Sequence, residues 1–348
     1  MRRLSSGAWI FPLPRREKPP RPADPQVILS MGYALNTTDD YHLHGLTSLG
    51  WELTLCNALF PENSPCRDAL LHDASFGEHL FRFLNEKIPL RRVKTVLEVG
   101  GGMGYLMRDL LTLAPHLQAT MADISPVLLQ KQKESLAGFS VAFLETDFFK
   151  MSRADLRAFD LAVLNEVSGD FPTLAVVSEP SSSEDPEAAR LSARIADFES
   201  AYGLRFVPAE NINIGALEAV EKLCTAGVPY IYLSEHSCES SHSDSSFPLM
   251  NFTPSRNPEK ISLKGHAEFT VKFSALEKIA RTFHYEVFRG PYTDILPVSF
   301  TDRVTAALRA PTPLSDKQEI LQQFLYDLYK YEYLLLVSGP ARQGKGRT

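Results

Sequence analysis

The strongest chemical signal in the chain is the sequence VLEVGGGMGYL, residues 96–106, which places Gly100, Gly101, Gly102 and Gly104 between an apolar run and an amphipathic segment. Glycine lets a ligand lie close to the backbone, and a helix that starts there offers free N–H groups. The order G-G-G-x-G differs from the G-x-G-x-x-G of NAD-binding turns. The spacing therefore indicates a turn that can bind a nucleotide-type cofactor and disfavours NAD, and a purely structural turn is the alternative.

Acidic residues lie at or near the ends of three apolar runs, where they could bind parts of the same cofactor. Glu98 lies two residues before the first glycine, where it can orient the turn and an amino group of the cofactor. Asp123 ends the next run, where a carboxylate can accept bonds from both ribose hydroxyls. Asp147 closes the third run and can accept a bond from an adenine amino group, although a solvated turn is an equal alternative. We include the adjacent Ile124 and Phe148 among the predicted cofactor-binding residues.

The fourth run ends in Asn165 and Glu166. In a doubly wound sheet the carboxyl ends of the strands face the ligand crevice, so both side chains should lie beside the reactive group of the cofactor. A carboxylate can hold a guanidinium by charge-assisted hydrogen bonds, and an amide can fix a second polar edge. We predict that Glu166 and Asn165 are catalytic and that Asn165 also contacts the cofactor. The alternative is that they merely end a strand.

The elements that position these residues are short apolar runs that alternate with helical segments. This pattern predicts an α/β fold with a doubly wound, mostly parallel, seven-stranded, Rossmann-like sheet. The predicted strands are KTVLEVG (94–100), LQATMADIS (117–125), SVAFLETDFF (140–149), FDLAVLNEV (159–167), VPYIYLSEH (228–236) and a closing pair, HYEVFRG (284–290) and EYLLLVSG (332–339).

Composition divides the chain into five parts. A basic, proline-rich tail (1–28) precedes a helical segment (29–90), in which apolar residues recur three and four apart along the run 67–90. This segment either gates the binding edge or only packs against it. The main domain covers 91–339, with an acidic, Ser-rich insertion at 174–212 that we expect to be solvated. A short basic tail (340–348) follows.

Bulk properties exclude some classes of function. The 348 residues carry a net charge of −6, without a basic stripe, which disfavours nucleic acid as a partner. No apolar run has the length of a bilayer, so we expect no membrane partner. The four cysteines show no C-x-x-C spacing, which favours a reducing compartment. We predict a cytoplasmic protein, while the basic N-terminal tail leaves organelle targeting open.

Two further clusters could take part in chemistry. The loop EHSCESSHSD contains His236, Cys238, His242 and Asp244, but their spacing matches no standard zinc motif, so we expect no metal. The same loop can lie over the acceptor, which makes His236 a candidate base. A second cluster, the polar-aromatic residues Tyr33, Tyr41, His42 and His44, either closes the substrate side or packs in the ordinary way.

Five segments resemble, in order, the MidA family of methyltransferases. They are VLEVGGGMGYLMRDLL, ADISPVLLQKQKESLAG, VLNEVSGDFPT, NINIGALEAVEKL and AEFTVKFSALEKIA, spread in patches over residues 91–290. The resemblance implies a class I methyltransferase fold and S-adenosylmethionine (SAM) as methyl donor. By analogy with the mitochondrial member, which assists assembly of respiratory complex I, it implies dimethylation of an arginine in a partner protein.

By position, the functional residues of the family correspond to Gly100, Gly102, Asp123, Asn165 and Glu166 of this chain, which the resemblance therefore implies are functional here. The chain departs from the family pattern at Asp123, usually Glu, at residues 168–171 and at Lys272, usually acidic. These departures affect the acceptor more than the cofactor. The alternatives left open are a methyltransferase acting on a protein or on a small molecule, and a SAM-binding assembly factor without transferase activity. An NAD-dependent oxidoreductase is disfavoured by the glycine spacing.

Overall fold

The computed structural model describes residues 2–3, 9–10, 32–46, 54–177, 186–207, 209–241, 253–310 and 314–339. Apart from a two-residue ladder of Arg2–Arg3 with Trp9–Ile10, the strands are β1 (Gly32–Asn36), β2 (Thr95–Val99), β3 (Gln118–Asp123), β4 (Val141–Glu145), β5 (Leu161–Asn165), β6 (Thr173–Val177), β7 (Tyr230–His236), β8 (Lys260–Ser262), β9 (Ala267–Phe269), β10 (Tyr285–Pro291) and β11 (Tyr331–Ser338).

Ten α-helices accompany these strands in the described part of the chain. They are α1 (Leu55–Leu59), α2 (Phe76–Lys87), α3 (Tyr105–Leu113), α4 (Pro126–Ser135), α5 (Arg153–Leu156), α6 (Pro186–Tyr202), α7 (Ile214–Ala226), α8 (Phe273–Thr282), α9 (Asp302–Leu308) and α10 (Asp316–Lys330). None of the helices described is long and apolar enough to cross a bilayer.

The central sheet has seven strands in the order β10-β11-β7-β5-β2-β3-β4. Strands β7, β5, β2, β3 and β4 are parallel, whereas β11 runs antiparallel between β7 and β10. This confirms the predicted doubly wound, mostly parallel, seven-stranded sheet and the predicted closing pair of strands. The strand order reverses beside β2, so the ends of β2 and β5 border the crevice in which such sheets bind ligands.

The inner strands of the sheet are buried on both faces, and because successive side chains of a strand point to opposite faces, each of these strands contributes to two cores. One core contains Val96, Met121, Val163, Tyr232 and Leu335, together with residues of α1, α2, α3 and α10. The other contains Leu97, Ala122, Leu164, Leu233 and Leu336, together with residues of α7 and α8. Burial on both faces explains why these strands read as continuous apolar runs in the sequence.

The segment at 29–90 contains more than the predicted helices. Its first described element is the strand β1, which pairs antiparallel with β6. In the run 67–90, the α-helix begins only at Phe76, because Ser75 and Glu78 form a capping box that fixes the helix start there. Just before it, Leu70 bridges to Val298, which holds this part of the chain in a non-helical path.

The insertion at 174–212 contains regular structure. Strand β6 opens it, helix α6 occupies its middle, and Leu174 bridges to Ile212 at its far end. Phe198 of α6 is fully buried, so this helix packs on the protein rather than standing in solvent. Residues 178–185 and 208, like most of the tails at 1–28 and 340–348, lie outside the described residues.

Candidate active site at the carboxyl edge of the sheet

The glycine turn connects β2 to α3. Gly100 and Gly102 have φ values of +63° and +51°, in the left-handed region that disfavours other residues. A Cβ on Gly100 would lie 2.4 Å from Cγ2 of Val167, so the turn packs tightly there. A Cβ on Gly102 would meet nothing within 4 Å. The turn is therefore fixed on one side and open on the other, as a ligand-binding turn must be.

Glu98 lies under this turn, near the end of β2. Its carboxyl is buried, and its Oε2 atom has no hydrogen-bond partner among the described residues. Burial, with a smaller contribution from the charge of Asp123, raises the pKa of Glu98 to about 8. A cationic group placed beside Oε2 would satisfy this oxygen and stabilise the ionised carboxylate. The α-ammonium group of SAM is such a cation, so the residues present fit this cofactor.

Asp123, at the end of β3, is held by two neighbours. Its Oδ1 accepts a bond from Ser125 N at 2.9 Å, and its Oδ2 accepts one from Gln132 Nε2 at 2.7 Å. Gln132 also donates to the carbonyl of Gly102 at 3.2 Å, so one amide ties the acid to the glycine turn. A carboxylate has about four acceptor sites, which leaves Asp123 able to accept bonds from a ribose.

Asp147 follows β4 and begins the short 3-10 helix Phe148–Lys150. Its Oδ1 accepts a bond from Phe149 N at 2.8 Å, and its Oδ2 lies 3.5 Å from Lys150 Nζ. Phe148 is buried, and Ile124, after β3, is partly exposed. The structure thus places Asp123, Ile124, Asp147 and Phe148 at the ends of two neighbouring parallel strands.

Asn165 and Glu166 lie at the predicted strand end, but their polar atoms already have partners. Asn165 Oδ1 accepts bonds from Ser234 Oγ (2.9 Å) and Tyr292 Oη (2.8 Å), and its Nδ2 donates to Glu166 Oε1. Burial raises the pKa of Glu166, whereas its hydrogen bonds to backbone N–H groups lower it. Glu166 itself has a φ of +53°, which is unusual for a residue with a side chain.

The partners of the Glu166 carboxylate come from the N-terminal segment and from β11. Leu55 N donates to Oε2 at 2.9 Å, Cys56 N donates to Oε1 at 3.2 Å, and Tyr331 Oη donates to Oε2 at 3.2 Å. Glu166 therefore anchors the first turn of α1 at the end of β5. The sequence offered no signal for this contact, because the partners lie more than 100 residues apart.

Helix α1 runs from the end of β5 toward the glycine turn. Just beyond it, Phe60 stacks on Tyr105 with ring centroids 3.6 Å apart, and Tyr105 is the first residue of α3. Burial raises the pKa of the Cys56 thiol strongly, and the charges of Glu166 and Glu98 add to this effect. These contacts place α1 between the end of β5 and the start of α3.

Of the predicted polar-aromatic cluster, Tyr41 and His42 lie at this edge. His42 Nε2 is 3.1 Å from Asp170 Oδ1, and Tyr41 stacks on His266 with centroids 4.1 Å apart. Burial opposes protonation of His42, but the hydrogen bond to Asp170 and the charges of Asp170 and Asp123 outweigh it and raise its pKa. His44 is exposed, and Tyr33 lies on β1, packed against the second core.

Two of the four residues predicted as a cluster at the end of β7 and in the following loop, His236 and Cys238, lie in the described part of the chain. His236 packs against the ring of Tyr331, with its Nε2 3.6 Å from Asp327 Oδ1. Cys238 is buried, and its sulfur lies 3.5 Å from the carbonyl oxygen of Val271. His242 and Asp244 lie outside the described residues.

Sequence reasoning missed three residues of this region. Gln132 was noted only as part of a family pattern, and its link to Asp123 needed the packing of α4. Tyr331 lies between Lys330 and Glu332, just before the predicted strand 332–339, and gave no signal of its own. His266 lies immediately before β9, and Glu268 lies within this strand, which the sequence analysis did not predict.

Comparison with known proteins identifies the domain. Residues 96–177, which include β2 to β6, match the family model for a methyltransferase domain. No curated protein matches the chain. Solved structures with a similar fold include an O-methyltransferase family protein from Burkholderia thailandensis, with 12% identity and a TM-score of 0.34 over 76% of this chain and 58% of the other.

Two further structures are similar to the chain. The first is that of human N-acetylserotonin methyltransferase in complex with SAM, and the second is that of a SAM-dependent methyltransferase from Clostridium acetobutylicum. The human enzyme shows 13% identity and a TM-score of 0.35, over 74% of this chain and 51% of the other. The Clostridium enzyme shows 10% identity and a TM-score of 0.38, over 76% and 91%. The chain thus spans little more than half of the Burkholderia and human proteins. The family-model match identifies a methyltransferase domain at residues 96–177, and the sheet order and the glycine turn agree with the class I methyltransferase fold.

Proposed function

We propose that this protein transfers the methyl group of SAM to an arginine side chain of a partner protein, the activity that the MidA resemblance implies. The observation that supports a cationic acceptor is the acidic character of the carboxyl edge. The carboxyl group of Asp39 lies close enough to those of Asp147 and Asp170 for their charges to interact, and that of Asp123 lies close enough to that of Asp170. The basic groups that interact with Asp39 are Lys150 and His42. An edge of this charge attracts a guanidinium.

The residues around the turn have separate tasks in this proposal. SAM supplies a methyl group on a positively charged sulfur, and displacement there depends mainly on alignment. Glu98 holds the ammonium group of the cofactor, and Asp123 accepts bonds from the ribose. Asp147, with Ile124 and Phe148, borders the adenine. Gly100, Gly101, Gly102 and Gly104 shape the turn.

Asn165 and Glu166 act as positioning residues in this proposal. Because the Glu166 carboxylate binds the start of α1, it holds the N-terminal segment over the crevice rather than holding the acceptor. Asn165 links this carboxylate to Tyr292 and Ser234 on the neighbouring elements. We assign the attraction of the acceptor to exposed acids at the edge, such as Asp39.

A second candidate is a SAM-binding assembly factor that transfers no methyl group. The observation in its favour is that the polar groups of Asn165 and Glu166 at the acceptor side already have protein partners. We further propose a cytoplasmic location, because no disulfide joins any two of Cys56, Cys66, Cys224 and Cys238.

The test is transfer of a radiolabelled methyl group from SAM to a cell lysate that has been separated into protein and small-molecule fractions. We expect label in protein, released on hydrolysis as methylated arginine. Gly102→Ala should abolish the labelling and Gly203→Ala should preserve it. Label confined to small molecules would contradict a protein acceptor. No label in either fraction, with SAM binding intact, would contradict transfer and favour the assembly factor.

A further inference from the structure

Beside the cofactor residues, three side chains from distant parts of the chain converge on one point. Among the residues that the structure describes, His42, Asp170 and His266 place potential metal-ligand atoms within 4.8 Å of one another. We propose that these three residues bind a divalent transition-metal ion, with Glu268 as a neighbour of His266 at the site. Neither the methyltransferase fold nor the cofactor residues require such a site.

The distances match a tetrahedral site. A metal ion with bonds of about 2.0–2.2 Å to nitrogen and oxygen places neighbouring ligand atoms roughly 3.4 Å apart. Here His42 Nε2 lies 3.1 Å from Asp170 Oδ1, and His266 Nε2 lies 3.7 Å from the same oxygen. Glu268 Oε1 lies 3.3 Å from His266 Nε2. Small side-chain adjustments would therefore suffice to admit an ion.

The ligands stand on elements that are fixed independently of any ion. Thr38 Oγ1 donates to the carbonyl of Asp170 at 3.0 Å, which joins the segment before His42 to the turn after β5. Asn36 Nδ2 donates to the carbonyl of Ala267 at 2.8 Å, which joins β1 to β9 beside His266. The ligand geometry is thus largely preorganised, as metal sites require.

The ligand set predicts the class of metal. Two imidazole nitrogens with one or two carboxylates favour Zn²⁺, Co²⁺, Fe²⁺ or Mn²⁺ over Mg²⁺ and Ca²⁺, which prefer all-oxygen sites. The side chain of His266 is 3% exposed, and those of His42 and Asp170 are 16% and 19% exposed. The site is therefore shielded from bulk solvent but open enough to exchange an ion.

The experiment measures metal content on the full chain. The protein is stripped with a chelator, incubated with Zn²⁺, passed into metal-free buffer and analysed by mass spectrometry. We expect one zinc ion per chain in the wild type and loss of this ion in His266→Gln and Asp170→Asn. The matched control is His44→Ala, because His44 lies in the same helical turn as His42 but is exposed. It should retain the ion.

The wild-type protein gives a second measurement that does not depend on variants that fold. Co²⁺ added to the stripped chain should produce the visible absorption of a four-coordinate site with nitrogen ligands, and Zn²⁺ should displace it. A wild type that retains no stoichiometric metal, or a His266→Gln protein that retains as much as the wild type, overturns the inference. Methyl transfer is read separately by label, so failure here leaves the proposed function standing.

Discussion

Glu98 is a buried acid whose environment suits a cation that the protein itself does not supply. Its pKa of about 8 in the folded state lies above the ordinary value of 4.5. The stability that follows from this shift is fully present below pH 4.5 and is lost as the pH rises to about 8, because the unfolded chain ionises first. Above that pH the ionised carboxylate is buried without a partner.

We predict opposite effects of Glu98→Gln on stability and on binding. At pH 8 the variant should be more stable than the cofactor-free wild type by roughly 1–3 kcal/mol, because it removes a buried unpaired charge. Wild-type SAM affinity should rise about tenfold per pH unit from pH 6 to 8, and the variant should lack this slope. Thermal melts and calorimetric titrations across this range measure both. The same slope in both proteins would remove Glu98 from the ammonium site.

Gly102 tests whether the open side of the turn receives the cofactor. Gly102→Ala should lower stability by about 1 kcal/mol through its positive φ and weaken SAM binding tenfold or more, at about 1.4 kcal/mol per tenfold. Gly203→Ala is the matched control, because Gly203 has a φ of +62° and nothing within 4 Å of its added Cβ. It should show the same loss of stability and normal binding. Equal binding by both variants would place the cofactor elsewhere.

At the scale of elements, one side chain joins β5 to α1. Glu166→Ala should destabilise the protein by roughly 2–5 kcal/mol, because it leaves the N–H groups of Leu55 and Cys56 without an acceptor. Denaturant titration measures this loss. Glu134→Ala, on the exposed surface of α4, is the control and should leave the unfolding midpoint almost unchanged.

The Glu166 result also separates its two possible roles. An anchoring role predicts that Glu166→Ala loses stability and that Glu166→Gln, which keeps an acceptor oxygen, recovers part of it. A role confined to the acceptor predicts normal stability in both variants and loss of label transfer alone. Unchanged stability in Glu166→Ala would therefore contradict the anchoring contact described above.

At the scale of the whole molecule, the N-terminal helices share a core with the sheet. Leu80 of α2 is fully buried in the same cluster as Tyr333 and Leu335 of β11. We expect Leu80→Ala to cost about 2–5 kcal/mol and to lower the midpoint of one common unfolding transition. Circular dichroism and calorimetry should then give coincident curves. Leu71→Ala, at a site 61% exposed, should have little effect. A separate low-temperature transition in Leu80→Ala would show that the segment folds on its own.

The sequence by itself determined the sheet and the position of the predicted cofactor residues at one edge of it. Strands that are buried on both faces must be apolar along their length, so a local run of apolar residues predicts them. The glycines and acids that directly follow such runs predict the edge of the sheet at which a ligand binds. The capping of α2, in contrast, shortened the helical segment expected at 67–90, because a local capping box outweighed the apolar periodicity.

Only the tertiary structure decided the partners of the polar side chains. Glu166 meets α1, Gln132 joins Asp123 to the glycine turn, and His42 meets Asp170 across more than 100 residues of sequence. A hydrogen bond depends on distance in space and carries no periodicity along the chain. The identity of a residue shows what it can bind, and the fold decides which of those bonds are already made.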